Sequence, residues 1–269
     1  MRNRVEWAGF TFSGLASLPQ QFSISSYLQA AQRNDPAAVE SLTALCAFLT
    51  EAGAAHIPLI VCDCDAPGSG ESVIAPEGRG GALIHKYGQP VSVNPDIITA
   101  LWKHLDHWLQ KVVPIAEQAG VRLAFSTKNI TDGWLDSIEA MQHLLEIIPS
   151  PCVGLNSRQG VLTQTLGSNI PTAIRHFCAQ KKIFLVEVAN LRSNPSHVVE
   201  AFLDEPMPEV MPDTAAMLHL LQVYHASDYE GTVQPATPPG LVGDTAWGHK
   251  GQAFNLGYIR SLLQVLEHA

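Results

Sequence analysis

Charged residues are scarce in this chain: Asp, Glu, Lys and Arg make up only 15% of its 269 residues. What charge exists is acidic, with 25 Asp and Glu against 16 Lys and Arg, a formal net charge of −9 and no Lys/Arg run. Affinity for nucleic acid or for an anionic membrane surface comes from clustered basic side chains, so neither is expected as a partner. No stretch of 18 or more uncharged apolar residues occurs, which argues against a membrane span. The opening Met1-Arg2-Asn3-Arg4-Val5-Glu6 is basic, but Trp7 to Pro19 is broken by Gly, Ser and Thr and does not read as a secretory signal.

Cysteine is sparse and odd in number: Cys46, Cys62, Cys64, Cys152 and Cys178. That count predicts thiols in a reducing compartment and no disulfide framework. Cys62 and Cys64 stand too close together for the usual zinc pair and read as strand-end packing residues. A phosphate-binding loop is missing, since Gly78-Arg79-Gly80-Gly81 lacks the preceding strand and following helix. His104, His107, His143, His176 and His219 fall in helical stretches and form no pair at the spacing of helical metal sites. No Ser/His/Asp order can be defended.

What the chain does have is apolar pattern. Hydrophobic residues make up 46% of it, enough for a large core, and the length suits one α/β barrel of roughly 250 residues. Six strands are predicted: Val5 to Phe12, Ile57 to Cys62, Val121 to Phe125, Cys152 to Leu155, Ile183 to Val188 and Gly231 to Gln234. Helical spacing covers Asp35 to Ala52, Pro95 to Ala119, Trp134 to Ile148, Ile170 to Gln180, Met211 to Tyr224 and Phe254 to His268. Pro114 should kink the longest helix or mark a new start. Pro67 to Pro90, rich in Gly and Pro, reads as a long loop. Strand then helix, repeated, is the pattern of parallel βα units. The expectation is an α/β fold, one TIM-barrel-type domain over residues 1–269 with about six of eight units.

Separated blocks in order carry a family resemblance. They are Trp102-Lys103-His104-Leu105 through Val113-Pro114-Ile115-Ala116-Glu117-Gln118-Ala119-Gly120-Val121, Pro149-Ser150-Pro151 with Gly154-Leu155-Asn156, and Gly257-Tyr258-Ile259-Arg260. From about Leu42 onward the chain resembles the mannonate dehydratases, cytoplasmic xylose-isomerase-like TIM barrels. The resemblance implies their reaction, removal of water from D-mannonate to give 2-keto-3-deoxy-D-gluconate with Mn2+ or a similar ion. It also implies that the first two βα units are missing here, leaving barrel edges for a partner or a second copy to cover.

Carried over residue by residue, the resemblance sets Ser126 where the family has its first metal-binding His and Arg158 where it has a Cys. Glu187 falls on a second His, Ala236 on an Asp, and Thr237 on the His thought to move a proton. A divalent ion needs several oxygen, nitrogen or sulfur donors, and only Glu187 among the four metal positions supplies one. The implied protein is therefore metal-free and catalytically impaired.

The residues themselves leave alternatives. Arg158 and Glu187, at the ends of neighbouring strands, form either an internal salt bridge or a guanidinium grip on a small sugar acid, with Lys128 adding charge. Asn156 and Asn190 are ligand contacts or turn caps. Asp63 and Asp65 straddle Cys64 and point the same way, as solvated carboxylates or, with Glu187 and His85, as a relocated ion site. Glu187, Thr237 and His249 are the catalytic candidates. Three functions are compatible with these residues: an impaired relative that keeps a sugar-acid pocket, an active dehydratase or isomerase with a relocated ion, or a scaffold.

Overall fold

A computed structural model describes residues 13–16, 18–65, 72–88, 94–126, 134–135, 137–193, 196–205, 216–236 and 239–268. In chain order these form α1 (Ile24–Gln32), α2 (Ala37–Ala54), β1 (Leu59–Asp63), β2 (Val73–Ala75), β3 (Ile84–Gly88), α3 (Pro95–Ala119) and β4 (Arg122–Ser126). Next come α4 (Ile138–Ile147), β5 (Val153–Arg158), α5 (Gln159–Leu166), α6 (Ile170–Ala179), β6 (Ile183–Val188), β7 (Asn190–Ser193) and β8 (His197–Ala201). The last elements are α7 (Ala216–His225), β9 (Thr232–Pro235) and α8 (His249–Glu267). The chain divides into two compact units. One holds Met1–Ser69, Ser92–Lys128 and Ile138–Asn156; the other holds Gly70–Val91, Asn129–Ser137 and Ser157–Ala269.

In the first unit β1, β4 and β5 run parallel, with Leu59 opposite Arg122 and Leu123 opposite Val153. Leu15 adds a parallel bridge to Ile60; the strand expected over Val5 to Phe12 lies outside the described residues. The helix α3 begins where Asn94 Oδ1 accepts the Asp96 N–H at 2.9 Å and Pro95 presets the first turn. It ends at Gly120, whose φ of 67° is the left-handed conformation that a helix terminus favours. Between these ends it runs unbroken through Pro114, correcting the expected new start. Buried Val112, Val113 and Ala116 flank the proline, so the apolar stripe holds both halves to one core. Trp108 anchors that stripe, its ring edge-on to Phe125 of β4 with centroids 5.9 Å apart.

The 18-residue α2 has a mean hydropathy of 1.2, which a membrane helix could also show. Here it carries Glu40 and Glu51 and buries Leu45, Leu49 and Ala52. Its Gly53 marks a close approach to α3: a Cβ there would stand 2.5 Å from the Ala119 carbonyl oxygen. Gly53→Ala should therefore lower stability by about 1–3 kcal/mol in chemical denaturation, although helix propensity alone favours Ala by about 1 kcal/mol.

In the second unit β6, buried along its whole length, pairs parallel with β9. The remaining strands are not among those expected. Residues 72–88 of the supposed Pro67 to Pro90 loop contain β2 and β3, which join β8 and β7 in an antiparallel sheet of order β2-β3-β8-β7. β2 pairs with the nearby β3, but β3 finds its other partner, β8, more than a hundred residues away, a pairing that local composition does not announce. Five of the six predicted strands coincide with β1, β4, β5, β6 and β9.

Candidate functional site at the strand ends

Carboxyl ends of parallel strands are where α/β folds present ligand-binding side chains. In the second unit the register sets Glu187 of β6 beside Gln234 of β9, and Gln234 Nε2 donates to Glu187 Oε2 at 3.4 Å. Arg158, the last residue of β5, brings Nη2 to 2.6 Å from Glu187 Oε1. The two side chains are 19% and 12% exposed, so both charges are largely withdrawn from water and answer each other. Both oxygens of the carboxylate are thus engaged, one by a cation.

Its sequence neighbours fix the position of Arg158. At the start of α5, Gln159 donates through Nε2 to the Tyr224 hydroxyl, which also lies 2.6 Å from Ser157 Oγ. All three side chains are buried, and burial pushes the Tyr224 phenol well up. This cluster clamps the chain on both sides of Arg158.

A second polar group occupies one face of the β3–β8 ribbon. Tyr87 pairs with Val198, and the same register sets His85 opposite Glu200. Glu200 Oε2 accepts the His85 backbone N–H at 3.1 Å, and Oε1 lies 3.5 Å from the Tyr87 hydroxyl. The His85 ring is 2.7 Å from Ser72 Oγ. Burial and the Glu200 charge push the Tyr87 phenol up to about 12, against the nearby Arg158 guanidinium. Burial likewise raises Glu200 from the ordinary glutamate value near 4.5, opposed by the His85 N–H and the Tyr87 hydroxyl.

A raised acid holds its proton more tightly in the folded state, so its contribution to stability falls as pH climbs from that ordinary value through the raised one. Glu200→Gln, neutral and of the same shape, should therefore gain in melting temperature relative to the natural chain as pH rises above 4.5. A difference that stays constant above that pH would show that burial does not govern this carboxyl.

Other candidates are spent on architecture. Asn190 donates through Nδ2 to the carbonyls of Phe202 and Glu205, both at 2.9 Å, folding back the segment after β8. Arg79 grips Asp204 with two bonds of 2.8 and 2.9 Å while lying over the Phe202 ring. His249 opens α8 in an exposed position, its Nδ1 2.8 Å from Thr245 Oγ1. Lys128 and Thr237 lie outside the described residues.

In the first unit, β1, β4 and β5 set a polar row. Asp63 is paired with Ser126, and the register of Phe125 opposite Leu155 continues to Ser126 beside Asn156. Asn156 Nδ2 donates to Ser126 Oγ at 3.5 Å, and Ser126 Oγ donates to Asp63 Oδ1 at 3.4 Å. Asn156 is 5% exposed and its Oδ1 has no hydrogen-bond partner, an omission that costs about 1–3 kcal/mol in a buried group. Cys62 and Cys64 are fully buried beside this row, and Asp65 is partly buried. Among the described residues no group of three or more His, Cys, Asp or Glu is placed to hold a metal ion.

Tyr87, Glu200, Tyr224 and Gln234 are not among the residues singled out from the sequence. Only Gln234 has a local signal, at the end of a predicted strand; the others are brought in by long-range pairing.

Comparison with known proteins bears on what this frame is. The family model described as D-mannonate dehydratase (UxuA) matches residues 92–269, starting later than the resemblance read from about Leu42. Mannonate dehydratase 2 of Halalkalibacterium halodurans is 26% identical over 162 residues, covering 56% of this chain and 43% of that protein. The mannonate dehydratase of Geobacillus thermodenitrificans is 22% identical over 179 residues, covering 62% of this chain and 47% of its own length. The chain thus spans about half the length of these curated relatives. The crystal structure of mannonate dehydratase from Streptococcus suis serotype 2 matches with a TM-score of 0.74 at 18% identity, covering 97% of this chain and 79% of that one. An L-ribulose 3-epimerase structure matches with a TM-score of 0.62 at 16% identity, covering 99% and 80%. At such identities the structural likeness shows the fold, α/β and TIM-barrel-like of the xylose-isomerase kind. With the family model matching well over half of the sequence, the chain belongs to the D-mannonate dehydratase family.

Proposed function

We propose that this chain is a metal-free, catalytically impaired member of its family that binds a small sugar acid, with Arg158 taking the ligand's carboxylate. The observation that carries the reading is the Arg158–Glu187 ion pair of 2.6 Å at the strand ends. In the parent dehydration a divalent ion would polarise the substrate and support charge developing on carbon. The donors present here do not fit such an ion. Glu187 is already bonded to a guanidinium and to Gln234, Ala236 offers no side-chain donor, and Ser126 offers a neutral hydroxyl. A cation fixed beside the only carboxylate of the set repels a second cation.

The same arrangement favours an anion. A guanidinium presents a planar fork suited to bidentate carboxylate binding, and Glu187 holds that fork at one edge. Glu187 also limits affinity, because an incoming carboxylate meets its negative charge. Tyr87, held between Glu200 and the Arg158 field, offers a hydroxyl nearby.

Calorimetric titration of chelator-treated, dialysed protein with D-mannonate and D-gluconate checks the binding. Saturable binding that weakens at least tenfold in Arg158→Gln is the expected result. Absence of saturable binding by any hexonate overturns the reading.

A further inference from the structure

Val73 and Ile74 on β2, Leu83 just before β3, and Val242 and Trp247 in the loop leading to α8 all expose apolar side chains. These segments belong to the second unit and are tied to one another by hydrogen bonds. We infer that they form an interface for a second copy of this chain, with β2 pairing to its own equivalent across a two-fold axis.

Trp247 is 83% exposed and Val242 79%, yet their loop is not slack. Leu83 and Gly240 exchange backbone hydrogen bonds of 2.7 and 2.6 Å, joining the loop to the hairpin of β2 and β3. Asp244 accepts the backbone N–H groups of Thr245, Lys250 and Gly251, and Lys250 Nζ donates to the Gly243 carbonyl at 2.6 Å. An indole carried on a fixed backbone loses little conformational freedom when a partner covers it, which suits tryptophan to anchoring an interface.

The second element is β2, the outer strand of its sheet. One row of its backbone N–H and C=O groups has no strand partner among the described residues. Edge strands usually carry a Lys, a Pro or a bulge that discourages pairing with another chain. Val73-Ile74-Ala75 has none of these, and Pro76 marks where pairing stops. Antiparallel pairing of such an edge with its own copy follows a two-fold axis, and a contact of that symmetry closes at two chains.

Charge selects the occupant. Two chains of net charge −9 repel each other unless the surfaces that meet are free of uncompensated carboxylate. Around this surface Glu77 is bonded to Lys86 at 2.7 Å, Asp204 to Arg79 at 2.8 Å, and Asp244 to the N–H groups of its own loop. A strongly basic or acidic partner finds its counter-charges already taken. An uncharged surface with an open strand edge fits a copy of itself.

Sedimentation equilibrium of the full chain over a hundredfold range of concentration is the test. A monomer–dimer equilibrium is expected, strengthened by added NaCl, which screens the like net charges. Trp247→Ala and Ile74→Glu should each raise the dimer dissociation constant at least tenfold. Val39→Glu adds the same charge at a comparably exposed apolar position of the first unit and should leave it unchanged. Where the natural chain is dilute enough to be monomeric, all three variants should melt with it, so that loss of the dimer is not loss of the fold. A chain monomeric throughout the range overturns the inference. So do a dimer that Trp247→Ala and Ile74→Glu leave intact, association that salt weakens, and growth beyond two copies.

Discussion

Glu187→Ala is expected to lower the unfolding free energy by about 3 kcal/mol, because it removes the carboxylate that answers the Arg158 guanidinium, whose side chain is only 19% exposed. The pair itself contributes far less than this. Two largely buried charges recover in mutual attraction roughly what they lose in hydration, so exchanging both for apolar residues of similar size is neutral or stabilising. The double substitution Arg158→Met/Glu187→Leu should accordingly unfold within about 1 kcal/mol of the natural chain, or above it. Urea unfolding with an unchanged slope separates the two outcomes. A single Glu187→Ala that unfolds like the natural chain would mean that water screens the pair and that the strand ends are open to solvent. Ligand binding gives the other half of the contrast: the double variant keeps the fold and loses the carboxylate grip.

Trp108→Ala should cost more, about 3–5 kcal/mol, through the cavity left under α3. Trp108 is 1% exposed, edge-on to Phe125, and surrounded along its helix by buried Leu105, Leu109 and Val112. These groups sit on rigid elements and cannot collapse fully into the space. Trp247, 83% exposed, supplies the control: its replacement by Ala should change stability by no more than about 0.5 kcal/mol, as for ordinary surface positions. Tryptophan fluorescence and denaturant unfolding report both.

Much of the fold is readable from residues alone, for a physical reason. A parallel strand covered on both faces is a nearly continuous apolar run, so β1, β4, β5 and β6 stand out from their surroundings, while β9, Thr232–Pro235, is only half-buried and less apolar. The long helix announces itself by Asn94-Pro95 at its start, an apolar stripe through its length and Gly120 at its end. The antiparallel strands carry no such mark. Ile84-His85-Lys86-Tyr87 mixes apolar, basic and aromatic residues, and its pairing with β8 is set by contacts across more than a hundred residues.

The site divides in the same way. That Arg158 and Glu187 face each other is legible from their places at strand ends, and the structure joins them in an ion pair. That Glu200 and Tyr87 form a second polar group, or that Tyr224 clamps Ser157 and Gln159, depends on tertiary register that no local pattern reveals. Asn190 illustrates the ambiguity of its type: an asparagine at a strand end can serve a ligand or the main chain, and here its amide nitrogen holds two carbonyls. Asn156 shows the same ambiguity: its amide nitrogen reaches Ser126 Oγ at 3.5 Å, and its buried oxygen, like that of Asn190, has no hydrogen-bond partner.

The functional account turns on a guanidinium, and not a divalent cation, occupying these strand ends. The direct measurement is a calorimetric titration of Mn2+ into metal-stripped protein, with the 2-keto-3-deoxy-D-gluconate formed from D-mannonate assayed on the same sample. The account predicts no stoichiometric Mn2+ binding and no product above the protein-free control. One Mn2+ bound per chain, accompanied by turnover that Arg158→Gln leaves intact, would contradict it.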